Sequence, residues 1–480
     1  MENQDEAPRP ARTSRGARVL VASVAGGAVL GGVLTLLPWE RAAPRAPAPA
    51  PGARAHAAVA AGVPASLPDL ATLIGEREAR LRARPKDAVS WAVLGSAYVE
   101  RGRRTADARY YPRAERALRM SLKVRARGNA QALGGLAALA NARRDFRAAR
   151  GWAEAARTAE PGRWTTYPLL IDAYRGLGDH EAARASLDRL RELRSGPAVM
   201  VWAAAVYRDQ GWREDAAAQL ADAVAGARTP AERAAYLERA GQLAWERGDR
   251  EDALGHFRRA LRIDPDQRAA QAGQGRALAA LGRTTEALNA YRAALAGQPS
   301  PQYALELGEL YESLGLGRAA RAQYDLLRAR VRGAAAGGAD EELVLGRFEA
   351  DHGDPAAAVR RLRAQWARQP GVEVADALGW ALHRAGDDEE ALRFAGIATD
   401  ATKGGGVRSA PYAYHRGMIE RELTRYGPAR RHLQEALRIN PYFSPVHART
   451  VREALTELGE PSVAEVPDFT GPPCRSARCA

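Results

Sequence analysis

Residues 236–265 read YLERAGQLAWERGDREDALGHFRRALRIDP. Leu237, Ala240, Gly241 and Ala244 recur at helical spacing, which puts them on one face of a first helix. Gly248 ends that helix, and Ala253, Phe257, Ala260 and Leu261 repeat the pattern in a second. Asp264-Pro265 closes the pair, because the residue before a proline is steered out of the helical region. Size decides how the two helices meet. Small Gly241 and Ala253 allow close antiparallel approach, while Phe257 and Leu237 fill the gap toward a neighbour. A lone hairpin of this kind leaves one apolar face in water, and stacking on a similar hairpin removes it.

The neighbour follows directly. Residues 272–299, AGQGRALAALGRTTEALNAYRAALAGQP, carry Gly275, Gly282, Ala287, Tyr291, Ala294 and Pro299 in the same order. Here the chain resembles the tetratricopeptide repeat family, whose first helix has a large residue, Leu-Gly and an aromatic, and whose second has Ala, an aromatic, Ala and Pro. Trp91, Leu94, Gly95 and Tyr98 match the first half near the start of the array. Gly417, Ala429, Leu433, Ala436 and Pro441 match near its end. Turn glycines recur at Gly102, Gly178, Gly211, Gly248, Gly282, Gly315, Gly353 and Gly386, with Arg144 in place of one and Arg425-Tyr426 at a degenerate last turn. The resemblance implies an all-α fold, a right-handed α-solenoid of about ten antiparallel helix pairs over residues 67–458, with a short helix at each end. Insertions are expected near 104–113, 226–232, 333–340 and 403–410, where the spacing stretches. No period-two run of β-branched residues competes with this reading.

Composition agrees. The 480 residues are 46% hydrophobic and 27% charged, enough to bury a core. The two cysteines, Cys474 and Cys479, stand in a tail spanning 459–480, so neither a disulfide-stapled fold nor a cysteine-built zinc domain fits. The net charge of +14 raises nucleic acid as a partner. Its distribution disfavours that partner: only Lys86, Lys123 and Lys403 are lysine, and the arginine clusters Arg103-Arg104, Arg143-Arg144 and Arg430-Arg431 are only pairs.

Residues 1–18 form a polar, basic N-terminus, and Val19 to Leu37 runs without a charge. At 1.5 Å per residue this run makes a helix of about 28 Å, long enough to cross a bilayer core. The expectation is a single-pass cell-membrane protein with a cytoplasmic N-terminus, anchored in the membrane by 19–37 and carrying its solenoid on the extracytoplasmic side. The alternative is a secreted protein after cleavage near Ala55-His56-Ala57. Gly27 and Gly31, four apart, give the run a face on which homodimerisation is an option. Residues 38–66, rich in Ala and Pro, read as an extended linker.

No catalytic, cofactor-binding or metal-ligating residue is expected. The eight histidines form no His-Glu-x-x-His arrangement, and no nucleophile elbow or phosphate-loop motif occurs. Gly404-Gly405-Gly406 reads as a loop between helices. The resemblance implies that first helices line a concave groove, where Glu238, Gln242, Trp245, Arg276, Glu309, Arg347, Asp376, Trp380, Tyr414 and Met418 would meet a protein or peptide partner. The paired lysines and asparagines with which some relatives grip a chaperone tail are replaced by Ala92 and Ser96 in the first unit. The expected function is a noncatalytic, membrane-anchored adaptor for protein partners, with a nucleic-acid-binding helical repeat as the other alternative.

Overall fold

A left-handed residue builds nine of the ten hairpin turns, and in four of them an aspartate at the N-cap position follows it. Gly178, Gly248 and Gly386 take φ values of 72°, 86° and 88°, which cost a side-chain-free residue little. The next residue is aspartate each time, and the Asp179 and Asp387 carboxylates accept the N–H of Ala182 and Glu390 to start the second helix. Where glycine is missing, Arg144 and Thr424 adopt the same conformation at φ 59°.

The computed structural model describes residues 49–400 and 406–460. From Ala50 onward they belong to one compact unit. Ten helix pairs follow one another in it. Pairs 1 to 3 are Ala88–Thr105 with Tyr110–Val124, Ala130–Ala142 with Phe146–Ala159, and Thr166–Gly176 with His180–Leu193. Pairs 4 to 6 are Pro197–Asp209 with Arg213–Gly226, Pro230–Glu246 with Arg250–Ile263, and Arg268–Ala280 with Thr284–Gly297. Pairs 7 and 8 are Pro301–Ser313 with Gly317–Ala336, and Glu342–His352 with Pro355–Arg368. Pairs 9 and 10 are Val372–Arg384 with Asp388–Thr399, and Ala410–Glu422 with Tyr426–Ile439. A hairpin of Pro51–Ala60 and Leu67–Ala83 precedes them, and the helix His447–Leu458 follows.

Packing runs from each pair to the next and not into a common centre. Phe257 is fully buried between two inner helices, and a Cβ at Gly241 or Gly273 would come within 2.7 or 2.4 Å of its ring. Leu118 occupies the corresponding notch between Gly95 and Gly135 in pairs 1 and 2. Tyr324 against Gly308 and Leu433 against Gly417 continue the device toward the end of the array.

The stack coils back on itself, and turns of the first five pairs touch loops that follow later pairs. Arg104 of pair 1 meets Asp264, after pair 5, at 2.9 Å. In pair 2, Arg143 donates to the Gly337 carbonyl at 3.1 Å, and Gln369 donates to the Arg144 carbonyl at 2.8 Å while accepting the Phe146 N–H. A Cβ on Gly178 of pair 3 would lie 2.9 Å from the Pro370 carbonyl oxygen, and one on Gly211 of pair 4 would lie 2.5 Å from that of Gly406. In pair 5, buried Asn440 donates to the Trp245 carbonyl at 2.7 Å, and Arg250 lies 4.3 Å from the Tyr442 ring centre. One coil thus rests on the next, about five pairs along. Two of the three arginine pairs noted in the sequence are bonds of this seam.

Three expectations need correction. Residues 51–60 form a helix instead of an extended linker, because Pro51 sits in the first turn, where no backbone N–H is required, and no proline interrupts the next twelve residues. The first turn is made by Ala106 at φ 48°, not by Gly102, which lies buried inside Ala88–Thr105 against Tyr111. The insertion after Gly102 lengthens that helix by one turn. Finally, the membrane-anchored reading, with its cell-membrane address and membrane partner, finds no support. Among the described residues no helix is long and apolar enough to cross a membrane. Even the longest, Gly317–Ala336, carries Arg318, Arg321, Arg328, Arg330 and Arg332, whose burial in hydrocarbon is costly. The run 19–37, its glycine face, and Cys474 and Cys479 lie outside the described residues.

Replacing Phe257 by alanine is expected to cost about 3–5 kcal/mol in urea unfolding, since it empties the notch between two pairs. Asn440→Ala is expected to loosen the seam locally. Amide exchange should quicken at 245–250 and around 440, and stay unchanged in pair 2, as measured by hydrogen–deuterium exchange.

Candidate functional site

First helices face inward, and closure of the coil converts their groove into an interior cavity. Its volume is about 580 Å³, within the range of sites that hold compact ligands. The wall is built from the first helices of pairs 1 to 5, and Val59 of the leading hairpin and Asp266 of the overlying coil complete it. Gly134 and Ala138 keep the pair 2 wall low.

Most charges on this inner face are already paired, each reaching the next first helix. Arg175 meets Asp209, the second of its two hydrogen bonds being 3.2 Å long, and Arg208 meets Glu246 at 2.6 and 2.9 Å. Arg276 lies 3.4 Å from Glu306, and Arg347 lies 3.8 Å from Glu373. His415 lies 2.8 Å from Asp376. Burial pushes the Asp209 carboxyl up, but the Arg175 and Arg208 charges outweigh it and hold it below its usual value. The ladder ties consecutive pairs together and spends its charge internally.

The ladder breaks at pair 5. Glu238 and Arg239 line the cavity without an ion pair or hydrogen bond among the described residues, as does Asp172 of pair 3. Burial raises the Glu238 carboxyl and lowers the Arg239 guanidinium, the signature of charges short of water and of close partners. Arg239 lies 5.7 Å from the ring centre of Trp202, which also faces the cavity. Acid, base and aromatic surface therefore converge in one place.

The ten residues expected in the groove divide. Glu238 lines the cavity, and Gln242 donates to Glu246 at 2.9 Å on the inner face. Arg276, Arg347 and Asp376 are rungs of the ladder, and Glu309 lies 3.7 Å from His352. Trp245, Trp380 and Tyr414 are 8%, 4% and 2% exposed and pack in the core, with Met418 against them at the far end. They offer no surface to a partner. Trp202, Arg239 and Asp172 were missed. Counting six residues back from Gly178 and ten from Gly248 reaches Asp172 and Glu238, but the same counts from Gly386 and Thr424 reach the buried Trp380 and Tyr414. Trp202 and Arg239 stand nine back from Gly211 and Gly248, so no fixed offset from the turn finds the cavity residues.

Trp380 is the centre of a second cluster. Its ring stacks on His415 at 4.4 Å, and its N–H donates to Asp351 at 2.9 Å, where His447 also lies at 3.3 Å. Burial pushes the Asp351 carboxyl up, but His447 and the Trp380 N–H outweigh it and bring it down to about 2, from 3.8. A carboxyl depressed by folding stabilises above its unfolded value, and that stabilisation fades as pH falls through the folded one. The margin of the unsubstituted protein over Asp351→Asn should therefore shrink by about 2 kcal/mol between pH 5 and pH 2 in denaturant titrations.

Residues 238–304 and 272–335 match the tetratricopeptide repeat family model. No curated protein matches the chain. Solved structures with a similar fold include MamA, at 19% identity and a TM-score of 0.29, covering 35% of this chain and 97% of that one. A tetratricopeptide repeat protein from Parabacteroides merdae gives 17% identity and a TM-score of 0.33, covering 55% and 98%. A monomeric mutant of IFIT1 with Gppp-AAAA gives 16% and 0.44, covering 68% and 76%. The family model covers the middle of the array, from pair 5 into pair 7, and the array as a whole is an all-α solenoid of tetratricopeptide-like hairpins.

Proposed function

We propose that this protein is a noncatalytic scaffold that takes a short polypeptide segment of mixed charge into the cavity of its first coil. The observation that carries the reading is the unpaired set of Asp172, Glu238 and Arg239 beside Trp202 in a cavity of about 580 Å³. Half-buried charges that make no direct ion pair or hydrogen bond are incompletely solvated, and a ligand that brings both signs relieves that cost on each side of the wall. Trp202 supplies flat apolar area of the kind that anchors peptides. Six arginines and four acids line the cavity, so both signs face a ligand and a segment of mixed charge fits it.

The test is a peptide array probed with the full chain, followed by titration calorimetry on the strongest binders. Bound peptides are expected to combine lysine or arginine with aspartate or glutamate around an apolar residue. Trp202→Ala, and Glu238→Gln combined with Arg239→Gln, should each weaken binding about tenfold or more with little change in unfolding midpoint. Equal affinity in all variants would refute the reading. So would a preference for single-stranded RNA with a steep salt dependence.

A further inference from the structure

The seam that closes the coil has a counterpart at each end of the molecule. Within the chain, turn rims of pairs 1 to 5 rest on loop rims that follow later pairs, with Gly178, Gly211 and Gly248 pressed against backbone of the overlying coil. Among the described residues, the turn rim of pairs 6 to 10 and the loop rim of pairs 1 to 4 have no such cover. A Cβ at Gly282, Gly315 or Gly386 would meet nothing within 4 Å, and the same holds for Gly128, Gly162 and Gly196 on the loop rim. Residues 123–128 and 312–318 are exposed throughout, whereas Asn440, Gln369 and Gly371 of the seam are buried.

Two further features mark these rims as surfaces for contact. Large apolar side chains are exposed on both: Leu314, Leu316 and Tyr426 at 39%, 47% and 55% on the turn rim, Met120 and Val124 beside the loop rim. Trp212, exposed at a seam turn, by contrast packs against Tyr207, the two rings tilted at 49° with centres 5.4 Å apart. The loop rim is basic, with Arg125, Arg127, Arg194 and Arg228, while the turn rim mixes Asp354, Asp387 and Glu389 with Arg283, Arg318 and Arg425.

We propose that a second copy of this chain covers these rims, the turn rim of one copy seating on the loop rim of the next. The contact would continue between molecules the stacking that each chain already makes within itself. Its two faces are different, so the association is heterologous and open-ended instead of stopping at a twofold dimer. The loop-rim arginines facing Asp354, Asp387 and Glu389 of the next copy set the register of the stack, and the apolar side chains supply the buried area.

Sedimentation velocity of the full chain over about 1–100 µM tests this, as that range spans the weak end of specific association. The expected result is a series of species that grows with concentration and recedes with added salt. Leu314→Asp with Leu316→Asp removes one face, and Arg125→Glu with Arg127→Glu removes the other. Each variant alone should be at least tenfold weaker in association, while an equimolar mixture should form a one-to-one dimer and nothing larger. Tyr426→Asp, and Arg194→Glu with Arg228→Glu, provide second variants at each rim, and circular dichroism checks that helix content is retained. A chain that stays monomeric throughout, assembly that is unchanged in the rim variants, or dimers formed by either variant alone would each overturn the proposal.

Discussion

Large side chains of the outer helices lodged in glycine notches on the inner ones are the contact on which this structure depends. Phe257 touches Gly241 of its own pair and Gly273 of the next, and Leu118 does the same with Gly95 and Gly135. One ring or isobutyl group thus bridges two hairpins and sets the angle between them. Repeated through ten pairs, a small and consistent angle accumulates into a coil, as in other quasi-linear repeat folds. The coil closes because that accumulated rotation brings loops after later pairs over turns of earlier ones. Side-chain size is therefore upstream of the seam, and the seam is upstream of the cavity.

The seam is polar where the intra-array packing is apolar. Gln369, Asn440, Arg143 and Arg104 pair with backbone carbonyls, a backbone N–H or a single acid across the coils, and glycines let the backbones approach. Contacts of that kind are specific in geometry and modest in strength, so the coil can hold a defined closed state without depending on it for folding. Closure changes the electrostatics of the inner face. Charges that would be solvated in an open groove become partly desolvated, which explains both the arginine–acid ladder and the cost of leaving Glu238 and Arg239 outside it.

The aromatic residues separate two roles that look alike in a linear reading. Trp245, Trp380 and Tyr414 share the inner helices with the groove residues, and their spacing admits either face. Each is turned into the core, where Trp380 and Tyr414 gather His415, His447 and Asp351 into one buried cluster. Trp202, in a unit with no first-helix glycine, reaches the cavity instead. The insertion that moves the first turn from Gly102 to Ala106 shows how position relative to a turn shifts from unit to unit.

Helix periodicity, turn glycines and the alternation of small and large residues are local, so the chain's order of residues by itself determined the all-α repeat, its ten pairs and all but the first of the turns between them. The extended linker expected at 51–60 failed because a proline in the first turn permits a helix, a matter of position more than composition. Coil closure, the buried fate of Trp380 and the isolation of Arg239 were decided only by tertiary structure. Each depends on residues some 30 to 225 positions apart, joined by a rotation that no single hairpin contains.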